Sequence, residues 1–149
     1  MSSLIPSFIE LNLSCESKRE AISILIGRLY EKGKISNKDF FLNDVIEREN
    51  ILSTYCGYGI AIPHAESTFV KEPSFVFGRT TNMIWDEEDE PVKFILLLAI
   101  PRVKDGANNS HIELMSEVAT LALEEDVRAL WESAVSSAEI LKTFNQKTE

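Results

Sequence analysis

Residues 94–100, Phe-Ile-Leu-Leu-Leu-Ala-Ile, form the longest apolar run of the chain and constrain its fold more than any other segment. A bilayer-spanning helix needs about 20 apolar residues, so this run is far too short to cross a membrane. It also lacks the polar alternation of a strand with one wet face, and it therefore predicts a strand covered on both sides. A buried strand needs layers above and below it. With 149 residues, 44% of them hydrophobic, the chain has the material for one compact domain spanning 1–149. No internal repeat, low-complexity tract or Pro/Gly/Ser-rich linker divides it.

Helices are predicted on either side of this strand in sequence. Ser17 and Glu20 have capping-box spacing ahead of the apolar face Ala21, Ile24, Leu25 and Leu29, with Gly33 as the stop. A second helix over 38–48 turns Phe41, Leu42, Val45 and Ile46 inward. Further strands are expected at 59–63 and at 74–80, where Phe75 and Phe77 alternate with smaller residues. The acidic stretch 86–90, Asp-Glu-Glu-Asp-Glu, belongs in an exposed loop. After Pro101 a polar connection at 104–109 leads to Ser110 and Glu113, again at capping-box spacing, which makes His111 the first residue of a helix carrying Leu114, Met115, Val118, Leu121 and Ala122. Helical segments over 127–134 and 136–145 complete the pattern. The fold class is α/β, a mixed sheet sandwiched by helices.

Charge and cysteine content exclude several roles. A formal charge of -9 disfavours nucleic acid and anionic membrane as main partners and favours a basic protein face. No basic-then-apolar leader opens the chain, so a cytoplasmic protein without direct membrane insertion is expected. Cys15 and Cys56 lie far apart without metal-ligand spacing and are expected as reduced thiols. Cys56 lacks an orienting partner and is expected to pack inside rather than act as a nucleophile.

The chemistry concentrates at residues 57–65, Gly-Tyr-Gly-Ile-Ala-Ile-Pro-His-Ala. The glycines permit backbone angles closed to other residues, Ile60 and Ile62 alternate as in a strand, and Pro63 removes a ladder donor. His64 is thus expected where a strand ends, as ligand, proton shuttle or nucleophile. The helix start at His111 offers unpaired amides and a positive dipole end to an anion, and it biases a histidine toward its neutral form. If the loop after the central strand brings the two rings together, His111 orients and stabilises a group carried on His64. Arg48 can clamp the same oxygens through its planar fork, although a helix C-terminus favours a cation in any case. Glu49 is expected to orient Arg48 or His64, and Glu66 to be solvated charge. A zinc site would need a third ligand that the spacing does not single out. The chain has no Gly-rich loop with a lysine to cradle nucleotide phosphates, which argues against direct use of ATP.

Arg48-Glu49, the segment 57–65 and Asn109-Ser110-His111 opening a helix with Leu114 and Leu121-Ala122 together resemble the fructose/mannitol-class (type 2) enzyme IIA domain of the bacterial sugar phosphotransferase system. The resemblance spans nearly the whole chain. Ser110 departs from it, standing where an acidic residue often precedes the second histidine. What the resemblance implies is a phosphotransferase/anion-transport-protein-like fold and a relay without metal or other cofactor. In that relay the phosphocarrier HPr phosphorylates His64 on its tele nitrogen, and the group passes to a cysteine of a cognate IIB component working with a membrane IIC. His111 and Arg48 match the family's supporting positions. The implied cargo is a fructose-like sugar or a polyol such as galactitol. The alternative is a regulatory, nitrogen-related IIA-like protein whose phosphorylation state controls its partners.

Overall fold

The computed structural model describes residues 5–102 and 110–147, leaving aside the side chains of 110–112 and 145–147. The polar connection expected at 104–109 lies outside the described residues. The apolar run forms the middle of β6 (Val92–Pro101), and every residue from 94 to 100 is buried. Its seemingly unpatterned sequence is an alternation between two cores. Ile95, Leu97 and Ala99 meet α1 (Lys18–Glu31) and α2 (Lys38–Ile51) through Ile22, Leu25, Leu29, Phe41 and Val45. Phe94, Leu96, Leu98 and Ile100 meet α3 (Ser110–Ala122), α4 (Glu125–Ser133) and α5 (Ser137–Lys147) through Val118, Leu121, Trp131, Ile140 and Phe144. Each fully buried Leu, Ile or Phe contributes about 1.5–3 kcal/mol, so the doubly covered strand anchors the molecule.

One edge of β6 pairs antiparallel with β5 (Ser74–Met83), which in turn pairs parallel with β1 (Phe8–Leu13). Gly78 on β5 lets α1 sit close, because a Cβ there would lie 3.2 Å from Leu25 Cδ2. No strand is expected from the sequence at β1. Glu10 and Asn12 break its apolar pattern, and Arg28 of α1 meets the Glu10 carboxylate at 3.1 Å.

The other edge of β6 carries β3 (Ile60–Ala61) and then β4 (His64–Ser67), both parallel to it, while β2 (Tyr55–Gly57) pairs antiparallel with β3. Ile60 stands opposite Phe94 and Ala61 opposite Ile95; beyond the break His64 stands opposite Leu98 and Ala65 opposite Ala99. The register is the same on both sides. The two pieces are therefore one line of chain interrupted at Ile62-Pro63, and His64 opens β4 instead of closing a strand. Pro63 has no N–H, yet its carbonyl accepts from Leu98 N at 2.9 Å and keeps the line in place.

The helix starts follow the capping signals. Ser17 Oγ accepts from Glu20 N at 3.1 Å, and Ser136 Oγ from Glu139 N at 3.4 Å. Helix α2 begins on Asn37 and runs past Arg48 to Ile51, with the Arg48 guanidinium donating to Leu52 O at 2.7 Å. Of the acidic stretch, Glu87, Glu88, Asp89 and Glu90 are exposed as expected, but Asp86 is half-buried. It pairs with Lys18 at 2.7 Å and accepts a hydrogen bond from Ser53 Oγ. Among the described residues no helix is long and apolar enough to cross a membrane.

Candidate functional site

Three successive residues, Gly57, Tyr58 and Gly59, have φ of 92°, 58° and 74°. This left-handed turn swings β2 into β3. Tyr58 adopts it at a cost of about 1–2 kcal/mol, and its ring lies 4.2 Å under the Arg128 guanidinium. The Gly59 carbonyl accepts from Lys93 N at 2.7 Å and Phe94 N at 3.0 Å, which ties the turn to the start of β6. Downstream, Ile62 N donates to Thr54 O at 3.0 Å, away from β6. The backbone that delivers His64 is thus held from two sides.

His64 is 8% exposed, and its Nδ1 lies 2.9 Å from Ile62 O. A carbonyl oxygen only accepts, so Nδ1 carries a proton, and in the neutral ring the lone pair is then on Nε2. His64 lines a cleft of about 290 Å3 with Ala65 and Glu66 of β4, Asp44, Glu47, Arg48 and Ile51 of α2, and Arg102 just beyond β6. The cleft lies beside the carboxyl end of β6, where open α/β sheets commonly receive ligands. Arg48 has two attachments: it holds the C-terminal carbonyl at Leu52 and forms part of the cleft wall. One side chain thus caps the end of α2 and lines the cleft.

Strand alternation places His64 with Ile60, Ile62 and Leu98 on the side of the sheet that α3 covers. His111 falls in the first turn of α3, on that same side, and its side chain lies outside the described residues. Arg102 has no signature in the sequence beyond following Pro101. Its guanidinium donates to Glu66 O at 3.1 Å and its backbone N–H to Ser67 O at 3.1 Å, so pairing of β4 with β6 brings it to the cleft. Glu66, expected as solvated charge, is half-buried in the cleft wall.

Glu49 is turned the other way. It is 5% exposed and continues the buried stripe of Phe41 and Val45 at four-residue spacing. Its carboxylate accepts from Thr54 N at 3.0 Å, Thr54 Oγ1 at 2.7 Å and Trp85 Nε1 at 3.0 Å, and it meets Lys18 Nζ at 3.3 Å. These partners take its oxygens, and no contact with Arg48 or His64 is among them, so the orienting role expected from sequence is not made by direct contact. The i, i+4 stripe is the signal that marks it as interior.

Cys56, expected inside, is exposed on β2 with its Sγ donating to Thr54 O at 3.3 Å. Burial of the sulfur itself, then the Glu49 charge, pushes its thiol up, which disfavours a thiolate nucleophile. Cys15 is half-buried against Met83 Sδ at 3.3 Å, and burial followed by the Glu20 charge raises its pKa as well. Both are free thiols. Among the described residues no group of three or more His, Cys, Asp or Glu is gathered to hold a metal ion.

Residues 3–147 match the family model described as "Phosphoenolpyruvate-dependent sugar phosphotransferase system, EIIA 2". The chain is 31% identical over 140 residues to the PTS system fructose-specific EIIABC component of Bacillus subtilis (strain 168), covering 93% of this chain and 22% of that protein. It is 34% identical over 140 residues to the PTS system 2-O-alpha-mannosyl-D-glycerate-specific EIIABC component of Escherichia coli (strain K12), covering 92% and 21%. It thus spans about a fifth of the length of these relatives. In three dimensions it resembles the nitrogen regulatory protein IIA-Ntr of Neisseria meningitidis with a TM-score of 0.81, at 23% identity, over 95% of this chain and 96% of that one. This chain belongs to the EIIA 2 family of the phosphoenolpyruvate-dependent sugar phosphotransferase system, a family of phosphotransferase components.

Proposed function

We propose that the chain acts as a single phosphocarrier domain in which His64 Nε2 accepts a phosphoryl group from phospho-HPr and hands it to a cysteine of a cognate IIB component. The observation that carries this reading is the 2.9 Å contact of Nδ1 with Ile62 O, which leaves Nε2 as the nucleophilic nitrogen. In the first step the Nε2 lone pair attacks phosphorus, the P–N bond to the donor histidine breaks, and its electron pair returns to the donor ring. No proton has to leave His64 during attack. The Nδ1 proton stays against the Ile62 carbonyl, whose dipole meets the positive charge that develops on the ring. In the second step a cysteine thiolate attacks phosphorus and the P–Nε2 electron pair returns to His64. Both steps balance without metal, nucleotide or redox partner, so the protein supplies positioning and charge.

Arg48 and Arg102 bring cationic charge to the cleft wall and are assigned to the phosphoryl oxygens. His111 is assigned to orient and stabilise the same group from the start of α3, where the helix dipole favours an anion. The net charge of -9 suits a basic face on the donor, with transfer slowing as salt screens it. The names of the two multidomain relatives join A, B and C parts, which supports partnership with IIB and a membrane IIC in uptake of a fructose-like sugar or polyol, galactitol included. The regulatory, nitrogen-related role is the alternative. Work in the cytoplasm follows from these partners.

The test is incubation with HPr, its upstream enzyme and phosphoenolpyruvate, followed by mass spectrometry. An acid-labile phosphoryl adduct on the peptide holding His64, passed on to a IIB cysteine, is the expected result. An adduct that forms but never moves to any IIB cysteine turns the assignment to the regulatory role; no adduct beside an active control removes the carrier reading.

A further inference from the structure

One continuous series of hydrogen bonds joins the buried Glu49 carboxylate to the His64 ring. Glu49 grips Thr54 twice, through its main-chain N–H at 3.0 Å and its hydroxyl at 2.7 Å. The Thr54 carbonyl accepts from Ile62 N at 3.0 Å. The Ile62 carbonyl accepts from His64 Nδ1 at 2.9 Å. All four residues are buried. Glu49 is itself fixed by Trp85 Nε1 at 3.0 Å and by Lys18 Nζ at 3.3 Å, so the series starts from a held group.

We infer that Glu49 is a positioning residue for His64, acting through Thr54 and Ile62 to fix the imidazole with its proton on Nδ1. The links run through different peptide units, so the effect is one of placement. Pro63 is what makes the chain depend on it. With the strand line broken there, Ile62 turns its N–H to Thr54 instead of to β6, and the setting of the Ile62 carbonyl follows the position of Thr54. The carboxylate receives the Thr54 N–H and the Trp85 N–H on one oxygen and the Thr54 hydroxyl on the other, so one side chain fixes both attachments of Thr54. Placement on this scale matters for transfer, since an error of about 1 Å in a reacting group costs on the order of 100-fold.

This inference rests on His64 as the phosphoryl acceptor, and its test separates the two ideas. Ring 15N spectra of His64 report the tautomer without any phosphorylation, and the rate of phosphorylation by phospho-HPr reports function. Glu49→Ala is expected to let the ring exchange between its two neutral tautomers and to slow phosphorylation by about 10- to 100-fold. Glu49→Gln keeps one accepting oxygen and a group able to meet the Thr54 hydroxyl; it is expected to restore the wild-type tautomer and a rate within about 5-fold. Thr54→Val removes only the hydroxyl link and should fall between these two. A folded Glu49→Ala protein with the wild-type ring spectrum and rate overturns the inference. Should Glu49→Ala fail to fold, an unchanged ring spectrum and rate in Thr54→Val does the same. A wild-type protein that takes no phosphoryl group on His64 refutes the carrier reading alone, while the ring spectra still decide whether Glu49 sets the tautomer.

Discussion

The two edges of β6 are built to opposite specifications. Along β5 the pairing runs without interruption from Ser74 opposite Ala99 to Arg79 opposite Phe94. Beneath that edge Phe77 packs on Trp131 at 5.1 Å and on Phe94 at 6.1 Å between ring centroids. Along β3 and β4 the same strand is met by two short pieces, a proline break and a left-handed turn of three residues. The first edge is continuous from Ser74 to Arg79, shifts register only beyond it, and packs aromatic rings beneath. The second exchanges ladder bonds for a polar ring held against main chain, and that exchange is affordable only because β6 is already fixed from its other side and from both faces. Stability and chemistry share one strand but occupy different edges.

Substitutions on the two edges should therefore separate the two properties. His64→Gln, on the broken edge, is expected to lower phosphoryl acceptance by more than about 1000-fold, equivalent to roughly 4 kcal/mol of lost barrier reduction, with little change in thermal unfolding. Radiolabel transfer beside a melting curve checks both halves, and a large fall in melting temperature would blur the comparison. Phe77→Ala, under the continuous edge, should cost about 3–5 kcal/mol by opening a cavity among the rings; urea unfolding measures it. Where that variant is still folded its acceptance rate should stay within about 3-fold of wild type, and a much larger loss would show that the two edges are coupled. Gly78→Ala places a methyl 3.2 Å from Leu25 Cδ2 and 3.3 Å from Leu13 Cδ2. It should destabilise by about 1 kcal/mol through crowding, again visible in urea and not in transfer.

The smallest effect concerns Asp86, which links the connection between β5 and β6 to Ser53 ahead of β2. Burial pushes its carboxyl up, but the hydrogen bonds from Lys18 and Ser53 and the Lys18 charge outweigh it and hold the pKa below the ordinary 3.8. A carboxyl whose folded pKa is depressed adds stability above its unfolded value, and loses that contribution as pH falls through the folded value. Asp86→Asn should therefore cost under about 1 kcal/mol at neutral pH for this partly exposed pair. Its melting temperature should also fall less steeply than that of wild type below about pH 4. Parallel curves across that range would remove Asp86 from the acid response.

What sequence could show followed the strength of local signals. Residues 94–100 announced a doubly covered strand, and the capping residues at Ser17, Ser110 and Ser136 marked helix starts near where the structure has them. The edge strands were harder. Glu10 and Asn12 obscure β1, and His-Ala-Glu-Ser has little intrinsic strand character, so β4 exists because β6 offers it a ladder. The motif at 57–65 drew attention to His64, but the continuation of the strand line past Pro63 depends on register, which no local pattern carries. Arg102 reaches the cleft only through that same pairing. Glu49 was legible in type and not in direction: its place at four residues from Val45 marks it as interior, away from the cleft that its neighbour Arg48 lines.

The most direct test of the account is to identify the nitrogen that bears the phosphoryl group, by phosphorus-coupled 15N spectra of uniformly labelled protein after incubation with phospho-HPr. The account predicts a single phosphorylated species with the P–N bond at Nε2 of His64 and the proton retained on Nδ1. Phosphorylation at Nδ1 of His64, or on any other side chain, would contradict it.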